Sequence, residues 1–161
     1  MPISGRELEH PTTVRQMVDE SGSVHGENAA VWTEGVAAFL GRPLHAVLAT
    51  RSPGGSISQS VVWFRAEEQS IWVSCRPDSA KARHVRLDPE VSMLVLAPHG
   101  GSYVRIEGKA TVDEFLSDEQ RLALVGPYQG AEALAWLAEH PLPTPNVLLR
   151  IRPDRVVSRG V

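Results

Sequence analysis

The sequence predicts a mainly β, α+β domain built as a six-stranded antiparallel barrel with peripheral helices. Six segments have strand character, and most are joined by short polar turns. Helical periodicity is confined to three insertions between them, without the regular strand–helix alternation that builds a doubly wound parallel sheet. At 161 residues and 42% hydrophobic, the chain is long enough to bury one core.

Residues 1–26 are polar, rich in Gly, Ser, Glu and His, and are expected to form a flexible N-terminal arm with a short helical piece near 13–19. A single domain then spans 27–161. From residue 27 the pattern is helical: Trp32, Val36, Phe39 and Leu40 make one apolar stripe, Gly41 can end the helix and Pro43 prevents its continuation. Residues 44–50 (LHAVLAT) and 56–65 (SISQSVVWFR), joined by Ser52-Pro53-Gly54-Gly55, read as a β-hairpin. Residues 70–75 (SIWVSC) form a third strand after a polar turn. A basic helix over 79–87 follows, with Asp78 as its N-cap and Pro89 as its stop.

Residues 91–97 (VSMLVLA) are too apolar for a wet face and are expected to be a central strand. Alternation is clean in 103–112: Val104, Ile106, Gly108, Ala110 and Val112 face one way, Tyr103, Arg105, Glu107, Lys109 and Thr111 the other. Ser117-Asp118-Glu119-Gln120 has capping-box spacing and starts a helix to about Val125; a second helix occupies 131–140. Pro141, Pro143 and Pro145 stiffen the link to the last strand, 147–152, resumed at 155–158.

A net charge of −3 gives no electrostatic case for nucleic acid. Cys75 is the only cysteine, so no intrachain disulfide can form, and a cytoplasmic location is expected. The N-terminus has no apolar signal core, and no run reaches the ~20 apolar residues of a membrane span, so neither secretion nor membrane insertion is expected. The six histidines are scattered without ligand spacing, so no metal is expected. Asp113 and Glu114 are adjacent and should point apart as surface charges, not act as an acid/base pair. Hydrolase, Rossmann and NTPase loop motifs are absent.

The most informative stretch is 74–86 (SCRPDSAKARHVR), where four of the chain's 16 basic residues fall between Arg76 and Arg86. A helix N-terminus already carries partial positive charge, so Arg76 and Lys81 around one make sense if an anion such as phosphate sits there. Cys75 at that positive end could be a nucleophile, but its alternation with Ile71 and Val73 favours a small buried side chain. Read alone, the helix is a solvated charged face, and Gln59, Ser60, Val61, Val62, Trp63 and Phe64 are a strand buried on both faces. Together, a strand able to meet a planar ring, a strand ending in Ser74-Cys75 and a cationic helix start form one aromatic-phosphate pocket.

Those segments in that order resemble the flavin-binding split-barrel superfamily that includes pyridoxamine 5′-phosphate oxidase. The match is closer to its actinobacterial branch of flavin/deazaflavin oxidoreductases, which use FMN or coenzyme F420. It rests on LHAVLAT (44–50), the Pro-Gly-Gly turn, SQSVVWF (58–64), residues 71–93 with Ser-x-Lys in the basic helix and Asp-Pro-x-Val-Ser after it, and YVRIEGKATV (103–112). The resemblance implies an FMN-binding split β-barrel. It implies that Gln59, Ser60, Val61, Val62, Trp63 and Phe64 line the isoalloxazine ring, that Ser74 and Cys75 flank the ribityl chain, and that Ala80 and Lys81 meet the phosphate. Arg83 and His84 would add phosphate or tail contacts, and Tyr103 falls where the oxidases bring a partner-subunit Gln to the flavin.

The resemblance further implies a homodimer with cofactor sites at the interface and hydride transfer between the cofactor ring and a small organic substrate. The alternative within the same fold is a non-catalytic flavin or haem carrier. The Arg/His motif with which the oxidase holds its pyridoxal substrate has no counterpart in 147–161, so a different substrate is expected. Arg51, Arg76, Lys81, Arg83 and Arg86 could form a basic track for the acidic tail of F420, which tilts the expectation toward that cofactor.

Overall fold

In the computed structural model, residues 32–161 are described; the expected arm at 1–26 lies outside them. The chain forms seven strands: β1 Ala46–Arg51, β2 Ile57–Val62, β3 Arg65–Glu67, β4 Ser70–Cys75, β5 Glu90–Leu96, β6 Tyr103–Phe115 and β7 Val147–Arg159. All pairings are antiparallel, in the order β2-β1-β5-β6-β7-β4-β3. The two edge strands, β2 and β3, are separated in sequence only by Trp63 and Phe64. Three Cα–Cα steps reach at most about 11 Å, so the edges must come together and the sheet must curl on itself. The result is a split barrel with its seam between β2 and β3.

This corrects the expected single strand over 56–65, which breaks in two because the chain must cross that seam. Leu48, Ile71, Val73, Met93, Val95, Val104, Ile106, Leu149 and Ile151 point inward and are fully buried. Each such side chain contributes about 1.5–3 kcal/mol of burial. β5 is central in the sheet as expected, but it does have an outer face: Leu94 and Leu96 are 37% and 46% exposed.

β6 and β7 form the longest pairing and carry a bulge at Glu107/Gly108. A Cβ on Gly108 would overlap the Arg152 carbonyl oxygen, so only glycine fits in the Glu107-Gly108-Lys109-Ala110 segment. Opposite it, Pro153 and the unpaired Asp154 take up the extra residue, and β7 continues through a proline that was expected to interrupt it.

Helix α1, Glu34–Leu40, is capped by Thr33, whose Oγ1 accepts the Val36 N–H at 3.2 Å; Trp32, expected within the helical stripe, precedes the cap. α2, Ala80–Leu87, packs its Ala82 and Val85 against the barrel. α3, Asp118–Gln129, starts with the expected Ser117 capping box but runs past Val125 and through Pro127. Proline has no N–H, so the Ala123 carbonyl one turn earlier is left without its helical donor, and Arg65 Nη1 takes it at 3.4 Å. α4, Ala133–Glu139, completes a helical hairpin over the seam. Among the described residues no helix is long and apolar enough to cross a membrane.

Candidate functional site

β4 ends at Cys75, and α2 begins at Ala80 after a four-residue turn. Ser79, not Asp78, is the N-cap: its side chain accepts the Ala82 N–H. The expected cap is diverted because the Asp78 carboxylate is taken by the Arg76 guanidinium through Nε at 3.1 Å and Nη2 at 2.7 Å. That bond, with Arg76 and Arg83 close by, holds the exposed Asp78 carboxyl below the usual carboxylate range. Arg83 donates to the Asp78 carbonyl and Arg86 to the Pro77 carbonyl, so three arginines converge on one turn.

Arg51 pairs with Asp88 at 3.2 Å. Four of the five cations expected to make an open basic track are therefore engaged within the chain. Carboxylates neutralise Arg51 and Arg76, while Arg83 and Arg86 keep their charge but turn their N–H groups onto the carbonyls of the turn, which weakens the case for a track along a long acidic tail. Lys81, half-buried, is the cation of the five that has no carboxylate or carbonyl partner among the described residues. The Ala80 and Lys81 backbone N–H groups lie in the first turn of α2 and have no acceptor among the described residues either. Two open backbone donors beside an unpaired ammonium fit a phosphate by both hydrogen bonding and charge.

The other predicted residues divide by exposure. Gln59 and Val61 are exposed on the outer face of β2, Ser60 is half-buried, and Val62 and Phe64 are buried in the core. Trp63 is occupied: it stacks on Tyr128 at 4.6 Å and 6°, and its Nε1 donates to His45 Nε2 at 3.1 Å. Ser74 Oγ accepts from Asn146 Nδ2 at 2.8 Å. Cys75 is buried, and desolvation pushes its thiol above the ordinary 9.0 although Ser79, Lys81 and Arg86 pull the other way. A protonated, enclosed thiol is no nucleophile, in keeping with the buried reading.

His84 Nδ1 lies 3.0 Å from Thr50 Oγ1, and Thr50 sits opposite Ser58 of β2. The α2 turn and the expected ring strand are thus linked through β1. Tyr103 is not brought to them: it pairs with Leu96 at the start of β6, which stands three strand positions from β2. On the intervening outer face, Val61, Val47 and Leu94 lie in one row across β2, β1 and β5, with Val61 68% exposed. A groove of about 260 Å³ opens beside that row between Arg51, Ile57, Ser92 and Glu107.

Sequence reasoning missed Tyr128. Its hydroxyl accepts the Phe64 N–H at 3.0 Å and lies 2.8 Å from the Leu44 carbonyl and 3.1 Å from that of Phe64. Burial raises its pKa above the ordinary 10.0, against the lowering effect of the Phe64 backbone bond. No local signal marks it, because its partners lie 64 and 84 residues away.

This split-barrel fold recurs in solved structures. An F420 reductase is 24% identical with a TM-score of 0.56, covering 78% of this chain and 98% of its own. A conserved hypothetical protein from Mycobacterium tuberculosis is 24% identical with a TM-score of 0.65, covering 84% and 89%. HutZ, a haem storage protein from Vibrio cholerae, is 18% identical with a TM-score of 0.60, covering 78% and 93%. At these identities the likenesses establish the fold. A search of curated protein sequences gives no match. The family model of pyridoxamine 5′-phosphate oxidase matches residues 32–160, and the chain belongs to that family.

Proposed function

We propose that the chain is a cytoplasmic, homodimeric oxidoreductase that transfers a hydride between the ring of a flavin-type cofactor, FMN or coenzyme F420, and a small organic substrate. The observation that carries this is the start of α2, where the Ala80 and Lys81 N–H groups and the Lys81 ammonium are all without partners among the described residues. In a family of flavin-dependent enzymes, that donor set is suited to the cofactor phosphate.

When bound, the ring would supply hydride acceptance and donation. The protein's part is to bind and orient. Lys81 and the two amides hold the phosphate, and Ser79 keeps the turn closed through its cap. Ser74 accepts from Asn146 through its oxygen, which leaves its own proton free for the polyol chain. Gln59 and Val61 stand outward on an edge strand where a ring can lie against backbone and side chain. Val62, Trp63 and Phe64 act from beneath, because their side chains are engaged inside the protein. The outward row of Val61, half-buried Val47 and Leu94, with Leu96, is the surface a second copy would cover. That copy would bring its own Tyr103 to the ring and exclude water from it.

Separate titrations of the purified chain with FMN, F420 and haem, followed by fluorescence and heat, test the proposal. Micromolar binding of FMN or F420, followed by substrate turnover with the reduced cofactor, is the expected result. Binding of neither flavin overturns the proposal. Haem binding alone would favour the carrier reading, in line with the likeness to a haem storage protein.

A further inference from the structure

We propose that the concavity between the end of β6, the start of β7 and the first turn of α3 binds a small zwitterion of the amino-acid type. Its carboxylate would lie on Arg150, its ammonium on Glu114 and its apolar side group against Phe115 and Leu148. The concavity measures about 410 Å³, within the range of small-molecule sites, and shares no residue with the cofactor set above.

It exists because β6 carries a second bulge. Val112 lies opposite Leu149 but Phe115 lies opposite Val147, so Asp113 and Glu114 are not a regular pair pointing apart as the sequence pattern implied. Asp113 Oδ2 accepts from Arg150 Nε at 2.8 Å, and its Oδ1 accepts from Thr111 Oγ1 at 2.8 Å. The Arg150 guanidinium also lies over the Trp72 ring at 5.3 Å. It is therefore held through Nε and one face, in a setting where the Arg150 and Asp113 side chains are 30% and 32% exposed. Both Nη groups have no acceptor among the described residues, which leaves the planar fork that pairs with a carboxylate.

Glu114, also on the rim, has no cationic partner among the described residues. Gln120 spends its Oε1 on the helix cap and leaves its amide N–H groups to the cavity. Phe115, 59% exposed, and the buried Leu148 give an apolar wall and floor. An anion alone would face Asp113 and Glu114, and a cation alone would face Arg150. Only a ligand carrying both charges on a short apolar frame meets each with its opposite.

Calorimetry on the full-length chain with L-phenylalanine, phenethylamine and 3-phenylpropanoate tests this directly. L-phenylalanine is expected to bind, with each singly charged analogue at least about fivefold weaker. Arg150→Lys keeps the charge but loses the fork and should weaken binding about tenfold. Glu114→Gln alters an exposed side chain, leaves the fold unchanged by thermal denaturation, and should weaken binding about fivefold. The proposal is overturned if neither L-phenylalanine nor L-leucine binds in the millimolar range. It is equally overturned if a singly charged analogue binds as well as the amino acid, or if Glu114→Gln binds like the wild type.

Discussion

The turn between β4 and α2 and the corner between β2 and β3 both carry the chain off the end of a strand, and they are built in opposite ways. At the corner every polar group of Phe64 finds the Tyr128 hydroxyl, and Trp63 is sealed by stacking against the same ring. At the turn, three arginines grip Pro77 and Asp78 from outside while the Ala80 and Lys81 amides stay open. One region closes the seam of the barrel, and the other leaves backbone donors without an acceptor among the described residues. Residues predicted for one site thus split into fasteners (Trp63, Phe64) and receptive groups (Ala80, Lys81).

The largest expected effect breaks the fastener. Tyr128→Phe leaves the Phe64 N–H without an acceptor and takes away the single O–H proton that the Leu44 and Phe64 carbonyls share. It should cost about 2 kcal/mol of stability in denaturant titration. Flavin affinity per folded molecule should change little.

Lys81→Glu does the converse. If the proposed clamp holds the cofactor, it should weaken cofactor binding by more than ~1.4 kcal/mol, a tenfold loss, by reversing charge at the proposed phosphate site. Its unfolding midpoint should match the wild type within about 0.5 kcal/mol, because Lys81 holds nothing else in place.

Alkaline pH separates the two regions again. Cys75, beside the turn, and Tyr128, at the corner, both have raised pKa values, so above 9.0 and 10.0 the native protein keeps protons that the unfolded chain releases. With more protons bound in the native state, stability falls as pH rises. Cys75→Ala should remove the earlier part of that fall and Tyr128→Phe the later part, in urea titrations at stepped pH.

The smallest effect lies in the β3–β4 hairpin, where Glu68 and Gln69 adopt φ of 45° and 63°. Glu68→Asn suits that left-handed backbone and should stabilise by about 0.5 kcal/mol.

Much of this architecture was legible in the sequence because it is local. The alternation over 103–112, the Ser117 capping box and the cationic run at 76–86 each depend on neighbours in the chain. What was not legible depends on distant partners or on a choice between adjacent candidates. Asp78 and Ser79 are both good caps, and Arg76 decides between them by taking the aspartate. The break at Trp63–Phe64 has no polar marker, since both residues are apolar and the fastening hydroxyl lies far along the chain. The bulges in β6 depend on β7, so neither the need for Gly108 nor the aim of Asp113 at Arg150 shows in the alternation.

The central claim, that the start of α2 is a phosphate clamp, is tested most directly by comparing FMN with riboflavin, which differ only by the phosphate, in calorimetric titrations of the wild-type chain and Lys81→Glu. FMN should bind the wild type at least about tenfold more tightly than riboflavin, and that advantage should disappear in Lys81→Glu while riboflavin affinity stays the same. Equal affinity of the wild type for the two ligands, or an FMN advantage that survives Lys81→Glu, would contradict it.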